Sequence, residues 1–157
     1  MSQFAFKEWA VICQALAEGA QTLILRKGGI AEENGEFRPE HTRFWLFPTY
    51  LHQTAAGLND TWAARLPEVE RTRPPANIVR LTHMVEVEKI SYAKELEQVL
   101  ALEPFHVWST ATVRQRFAYR TPGLYVLWVR VTAASESREV PNLPEYDGCK
   151  TWVDLGK

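Results

Sequence analysis

The alternation of apolar and polar side chains from Asn77 to Ile90 is the feature that most constrains how this chain can fold. Valine or leucine takes every second position over much of this run, which is typical of a strand with one face in a core. From Leu124 to Thr132 the chain is apolar almost throughout, which predicts a second strand buried on both faces. Shorter apolar runs predict further strands at 21–26, 44–47 and 152–155.

Apolar residues at helical spacing mark the segments between these strands. They predict helices over Phe4–Glu18, 55–66 and 92–102, and a capping-box spacing predicts a short helical turn over 113–117. Gly19 follows the first of these segments and is expected to end that helix.

Pro48 is expected to end the strand at 44–47, because proline cannot donate a backbone hydrogen bond. The residues 49–53 are then expected to form a turn where the chain leaves the sheet. The polar segment 31–43 is expected to be an exposed loop.

The order of these elements favours an α+β fold. Strands do not alternate regularly with crossover helices, which disfavours a doubly wound parallel sheet. We predict a small, curved, mostly antiparallel sheet or a partly open β-barrel, with helices flanking it. The 157 residues are close to the usual size of one domain, so we expect a single domain over 1–157.

Composition narrows the class of protein. The formal net charge is −1, which argues against a generally basic nucleic-acid binder but allows a local basic face. Only two cysteines are present, and no signal peptide or long apolar segment is visible. We therefore expect a cytoplasmic protein with no membrane segment.

Three groups of residues carry a resemblance to a known family. They are KEWAV (7–11) with LRKGGI (25–30), EHTRFWLFPTYLHQ (40–53), and LYVLWVRV (124–131) with GCKTWV (148–153). Together they resemble the bacterial domain of unknown function 1802 (DUF1802). That family brings no established activity, but its members are sometimes joined to restriction endonuclease domains of the Mrr type. The resemblance implies an accessory role beside DNA restriction or modification, with a restriction-type nuclease as partner.

The N-terminus also resembles the ASCH and related PUA-like domains. A predicted helix that ends in glycine is followed by a strand that ends in arginine, over residues 1–30. Those domains are small β-barrels that often bind RNA or modified bases. The resemblance implies a barrel-like fold and a nucleic-acid ligand.

The first candidate binding segment is Arg26-Lys27-Gly28-Gly29. Backbone N–H groups in such a turn can form an anion-binding nest, and the two cations would hold a phosphate. The alternative is a plain tight turn with solvated charges beside it.

The second candidate segment is Phe47–Gln53, with Trp45 just before it. Trp45 and Tyr50 could stack on a base, while His52 and Gln53 could read its polar edge. The alternative is that the rings fill the core and the polar side chains tie down the loop.

The third candidate segment interleaves arginines with aromatic rings. Arg114 and Arg116 lie near Trp108, Phe117 and Tyr119, a mixture that suits phosphate contact with base stacking. The alternative is an amphipathic turn whose rings face inward and whose arginines face water.

Motifs for catalysis and metal binding are missing from the sequence. Glu40, His41 and His52 match no zinc spacing, and HExxH, CxxC and GxSxG do not occur. We expect no metal and no cofactor. Whether the chain is an enzyme stays open.

The leading hypothesis is a nucleic-acid-binding module in which the three candidate segments meet on one face. A second hypothesis is a small hydrolase or nucleotide-processing enzyme that uses Lys27, Glu40, His41 and His52. A third is a protein-interaction subunit without a small ligand, which an exposed apolar patch would favour.

Overall fold

The computed structural model describes residues 2–27, 41–148 and 150–156. These residues form one six-stranded sheet with helices around it. The strands are β1 (Phe4–Trp9), β2 (Leu23–Arg26), β3 (Arg43–Thr49), β4 (Ile78–Ala93), β5 (Leu124–Pro141) and β6 (Trp152–Asp154). The α-helices are α1 (Ala10–Glu18), α2 (Asp60–Ala63), α3 (Leu66–Arg71), α4 (Leu96–Leu100) and α5 (Thr110–Ala118). Within the described residues, 3-10 turns lie at Ala55–Gly57, Glu103–Phe105 and Pro144–Tyr146.

The sheet has the strand order β2-β5-β4-β3-β1-β6 and does not close on itself. Four of its neighbouring pairs are antiparallel, and only β1 and β3 run parallel. The predicted α+β class, with a mostly antiparallel open sheet and flanking helices, is confirmed.

Strands β4 and β5 are the longest strands of this sheet, and they pair with each other. Their pairing extends from Ile78 opposite Pro141 to Ala93 opposite Leu124, with register shifts between Leu81 and His83 and between Val87 and Lys89. Such irregularities bend a strand and increase its twist. The two strands predicted most clearly are therefore confirmed, and both are longer than the apolar runs that predicted them.

Apolar side chains fill both faces of the sheet. On one face α1, α4 and α5 pack over a core that includes Phe6, Leu16 and Leu127. On the other face a smaller cluster includes Trp45, Leu81 and Tyr146. The second cluster explains why β3 is apolar at consecutive positions, since both of its faces are covered.

The helix predicted over Phe4–Glu18 is wrong over its first six residues. Residues 4–9 form β1, because their backbone pairs with β3 on one side and β6 on the other. Helix α1 begins only at Ala10. Gly19 ends it as predicted, with a left-handed φ of 80° and its N–H donating to the carbonyl of Leu16.

Pro48 does not end the third strand, contrary to prediction. Strand β3 continues to Thr49, since Pro48 lies opposite Glu8 of β1 and beyond the last residue that pairs with β4. A proline is tolerated at such a position because no ladder hydrogen bond is lost on the β4 side. The turn follows at Leu51 and His52.

The helix predicted over 55–66 is instead three short pieces. The side chain of Asn59 accepts a hydrogen bond from the N–H of Trp62 at 3.0 Å, so it caps a new helix inside the predicted one. Leu58, just before this cap, forms an isolated antiparallel bridge with Trp108. Tertiary pairing has interrupted the helical pattern.

The last two predicted helices have different bounds in the structure. Tyr92 and Ala93 belong to β4, so the helix predicted over 92–102 shortens to α4. The turn predicted over 113–117 lengthens to α5, because the side chain of Ser109 accepts from the N–H of Thr112 and caps it there. Most of the predicted loop 31–43 lies outside the described residues.

Candidate functional site

A cleft of about 590 Å³ opens between the end of β1 and the side of α5. We call it the Arg116 cleft. Its lining includes Trp9, Lys27, Gly57, Gln115, Arg116 and Tyr119. Two of these residues are cationic, and none of the described residues that line the cleft is acidic. The volume lies within the usual range of small-ligand pockets.

The indole of Trp9 forms one wall of the Arg116 cleft. It packs so closely on Gly57 that a Cβ there would lie 2.9 Å from its Cη2 atom. Its other neighbour is the ring of Trp108, at 5.0 Å between centroids and at 63°. Glycine at position 57 is therefore required for the close approach of this ring.

The guanidinium of Arg116 lies over Trp108, with its central carbon 3.9 Å from the ring centroid. Burial lowers the pKa of Arg116, and the nearby charge of Glu8 opposes this shift. No side chain or carbonyl of the described part of the chain accepts a hydrogen bond from the guanidinium. Its donors are held in place by the stacking and remain available to a ligand.

Glu8 lies between two arginines. Burial raises the pKa of its carboxyl group, whereas the charge of Arg116, the N–H of Trp9 and the charge of Arg26 lower it. The N–H of Trp9 donates to this carboxylate at 2.8 Å. Two cations around one carboxylate leave a local positive excess, and perturbed groups beside a cleft are typical of functional sites.

Arg26 is the second arginine beside Glu8. It donates to the hydroxyl of Thr151 at 2.6 Å and lies 5.4 Å from the ring centroid of Phe6. Its Nε is buried and has no partner among residues 2–27, 41–148 and 150–156. Burial lowers the pKa of Arg26, and Glu8 opposes the shift.

Lys27 fixes the chain that leaves α5. Its ammonium donates to the carbonyls of Phe117 at 2.6 Å and Gly123 at 2.9 Å, and also to the carbonyl of Thr121. An ammonium has three N–H donors, so these contacts occupy all of them. Lys27 therefore brings charge to the Arg116 cleft but has no spare donor.

A second cleft, of about 670 Å³, lies at the end of β3. We call it the Tyr50 cleft. Trp9 lines both clefts. Tyr50 and His52 line the second one, and the guanidinium of Arg73 lies 4.7 Å from the ring centroid of Tyr50.

The structure brings two of the three candidate segments together. Lys27 and Arg116 line the Arg116 cleft, and Arg26 interacts electrostatically with Arg116. Tyr50 and His52 lie in the Tyr50 cleft instead. Gly28 and Gly29, the predicted anion-binding turn, lie outside the described residues.

Three further candidate residues lie away from both clefts. Trp45 is fully buried, at 0% exposure, and its Nε1 donates to the carbonyl of Ser2 at 3.0 Å. The side chain of Gln53 accepts from the N–H of Val11 at 2.8 Å and so caps α1. Arg114 is exposed on α5 and lines neither cleft. We leave these three out of the proposed site.

Sequence reasoning missed the roles of Glu8, Trp9 and Gly57. Trp9 lies within the helix predicted over Phe4–Glu18, and that prediction hid its place at the end of a strand. The only local indication was that a charged residue, Glu8, comes directly before Trp9 at the boundary between two elements. Gly57 gave none, because its role depends on a ring distant in sequence.

The residues suggested for acid–base catalysis do not meet. Lys27 lines the Arg116 cleft, His52 lines the Tyr50 cleft, and His41 stacks on Phe4 with centroids 3.6 Å apart. Glu40 lies outside the described residues. In the described part of the chain, no group of three or more His, Cys, Asp or Glu side chains is placed to hold a metal ion.

None of the helices in the described ranges has the length and apolar character needed to span a bilayer.

The described residues form a small α+β fold with a cleft whose lining includes cationic and aromatic side chains. The chain belongs to the family described as Domain of unknown function (DUF1802), whose profile matches residues 5–157. The family membership that the three groups of motifs indicated is thereby confirmed. No curated protein is significantly similar in sequence.

Solved structures of ASCH from Zymomonas mobilis are similar to this one at low identity. The unmutated protein shares 14% identity with a TM-score of 0.49, and the matched region covers 81% of this chain and 66% of that chain. One of its mutants gives 13% identity and the same TM-score and coverage. This chain thus matches just under two thirds of the length of those proteins.

Proposed function

We propose that this protein binds single-stranded nucleic acid, with one unstacked base and its phosphate in the Arg116 cleft. One observation carries the proposal. Arg116 is fixed on Trp108 with its hydrogen-bond donors unoccupied by the described residues, in a cleft whose described lining has no acidic side chain. A planar, charged donor in that setting suits a phosphate or the polar edge of a base.

Aromatic side chains in the lining of the cleft support a base as the ligand. Trp9 packs against Gly57 and Trp108, and Tyr119, which lines the same cleft, is 55% exposed. Stacking on such rings contributes about 1–3 kcal/mol per base and tolerates any sequence. A base can stack on these rings only if it is free of its own neighbours, which favours a single strand over a duplex.

Local charge supports the phosphate. Arg116 and Arg26 outnumber Glu8, and Lys27 adds its charge although its donors are occupied. The formal net charge of the chain is only −1, so this excess is local. Binding should therefore fall steeply with salt but stay confined to one face.

Fluorescence anisotropy with labelled single-stranded DNA, single-stranded RNA and duplexes, each over a range of salt, tests the proposal. We expect single strands to bind more tightly than duplexes. Arg116→Gln should lower affinity by about tenfold and reduce the salt slope by about 0.7, the value for one phosphate on a single strand.

Arg71→Gln is the matched control, because Arg71 is an exposed arginine that lines neither cleft. It should leave affinity and slope unchanged. Failure to bind at low salt, or equal losses in both variants, would overturn the proposal.

The link to DNA restriction is a separate proposal that rests on the family resemblance alone. It predicts that the protein associates with a restriction-type nuclease. Co-purification of the two proteins, with Arg116→Gln beside it, would show whether such an association exists and whether it needs the cleft.

A further inference from the structure

We propose that the Tyr50 cleft holds the nucleotides that adjoin the base in the Arg116 cleft, so that a single strand crosses Trp9 from one cleft to the other. This inference rests on the proposed function and extends it to a second site. It assigns a polyanionic ligand to the Tyr50 cleft, whose lining side chains differ from those of the Arg116 cleft.

Continuity between the two clefts is the first support. Trp9 belongs to the lining of both. The segment after β3 also passes from one to the other, since His52 lines the Tyr50 cleft and Thr54 lines the Arg116 cleft. The proposed strand follows this shared lining from one cleft to the other.

The charge of the Tyr50 cleft is the second support. Four cations line it, against the single acidic side chain of Asp147 among its described lining residues. The cations are Lys7, Arg73, Arg80 and Lys150. Lining of this composition attracts a chain of phosphates.

Two of these cations contact backbone carbonyls. The ammonium of Lys7 donates to the carbonyls of Tyr146 and Gly148, and that of Lys150 donates to the carbonyl of Glu145.

The two arginines of the Tyr50 cleft have carboxylate neighbours. Arg73 approaches Glu70 at 3.8 Å, and Arg80 approaches Glu139 at 3.4 Å. All four of these side chains are 36–53% exposed, and exposed ion pairs of this kind are weak. Phosphate groups can therefore displace the glutamates.

An aromatic ring and an unusual turn complete the cleft. Tyr50 is half-buried, with the guanidinium of Arg73 over its ring, which suits a stack of base, ring and cation. His52 has a positive φ of 75°, a conformation that is uncommon outside glycine and concentrates at functional sites. The turn presents His52 and the 73% exposed Leu51 beside the cleft.

Binding of oligothymidines of two lengths tests the two clefts separately. A dinucleotide can occupy only one cleft, whereas an oligomer of about 10 nucleotides can occupy both. For the double variant Arg73→Gln/Arg80→Gln, we expect affinity for the longer oligomer to fall by about tenfold and its salt slope to fall by about 1.4, twice the single-phosphate value. Affinity for the dinucleotide should not change.

Arg116→Gln should lower the affinity for both oligomers, and this result distinguishes the two proposals. The control is Arg71→Gln/Arg130→Gln, which removes two exposed arginines that also pair with glutamates and lie outside both clefts. Suppose that Arg73→Gln/Arg80→Gln changes the affinity for neither oligomer, or lowers both affinities equally. The proposed path through the Tyr50 cleft is then overturned, while the proposed site at Arg116 stands. If Arg116→Gln also has no effect, the proposed function fails as well.

Photocrosslinking gives a second, independent measurement. A single strand with 5-iodouracil at one end or the other should crosslink to Tyr50 from one end and to Tyr119 from the other. Crosslinks to Tyr119 from both ends would contradict a path through the Tyr50 cleft. Tighter binding of an acidic peptide than of the oligomer, abolished by Arg73→Gln/Arg80→Gln, would also overturn it.

Discussion

The guanidinium carbon of Arg116 lies 3.9 Å from the centroid of the Trp108 ring, and the edge of that ring meets Trp9. A buried core residue thus fixes both the cation and the aromatic wall of one cleft. Because Trp108 cannot move without disturbing the core, Arg116 and Trp9 are held in position before any ligand arrives.

Replacing Arg116 with lysine should show that the planar group matters as well as the charge. Lysine keeps the charge but cannot stack on Trp108 as a planar fork. For Arg116→Lys we expect affinity for single strands to fall by roughly tenfold while the salt slope stays near the wild-type value. An affinity equal to wild type would mean that charge alone is used.

Adding a methyl group at position 57 should disturb Trp9. The new Cβ would lie 2.9 Å from Cη2 and 3.0 Å from Cζ3 of the indole, so the ring must shift. Gly57→Ala should lower the free energy of unfolding by about 1–3 kcal/mol, the usual cost of overpacking. Urea denaturation measures the change, and single-strand binding should weaken with it.

The matched test combines Gly57→Ala with Trp9→Phe. A smaller ring leaves space for the methyl group, so the double variant should lose about 1 kcal/mol less than the sum of the single variants. Strict additivity would show that the contact between these two residues is unimportant.

Removing the ammonium of Lys27 should loosen the segment after α5. For Lys27→Met we expect the free energy of unfolding to fall by about 2 kcal/mol, because the carbonyls of Phe117, Thr121 and Gly123 lose a charged donor. Hydrogen exchange should rise most between residues 118 and 123. Exchange that rises evenly over the whole chain would contradict this role.

The pair of Glu18 and Arg65 should make stability depend on pH in the acid range. Hydrogen bonds from Arg65, and next from Gln14, lower the pKa of Glu18 from 4.5 to about 2. A lowered carboxyl pKa stabilises the folded state fully above pH 4.5, and that contribution is lost as pH falls towards about 2. Since both side chains are about 40% exposed, screening limits the effect to about 1 kcal/mol or less.

Denaturation of Glu18→Gln between these pH values tests this linkage. The variant should be less stable than wild type above pH 4.5 and should converge with it at the acid end. Glu136→Gln, at an exposed position of β5, serves as control. A constant difference across the range would assign the effect to something other than titration of Glu18.

Gln53 should prove to be a structural residue. Its side chain accepts from the N–H of Val11 and donates to Glu70 at 2.8 Å, so it joins the start of α1 to α3. Gln53→Ala should lower the free energy of unfolding by about 1 kcal/mol, a typical loss for a helix cap. Unchanged stability with weakened base binding would instead support the direct base contact that the sequence suggested.

Sequence-based predictions were correct where local interactions decide the structure and wrong where pairing between distant segments decides it. Strand β4 and the helix end at Gly19 were correct, because alternation and a left-handed glycine act over a few residues. The first six residues of the predicted N-terminal helix were wrong, because β1 exists only through its pairing with β3 and β6. Pro48 was misjudged for the same reason.

The structure groups the candidate residues differently from the single face that the sequence suggested. Lys27 and Arg116 line one cleft, and Tyr50 with His52 line another. The sequence suggested Trp45 for stacking on a base. In the structure both faces of β3 are covered, which buries that ring.

The sequence by itself determined the α+β class, the two long strands and the family, since each depends on local patterns and motifs and on their order along the chain. Only the tertiary structure decided which cations and rings share a cleft. Trp9, Gly57, Trp108 and Arg116 come from four separate segments, and their contacts form only when the sheet and α5 have packed together. Periodicity along the chain does not predict such contacts, because the position of each of these residues depends on how the other segments pack.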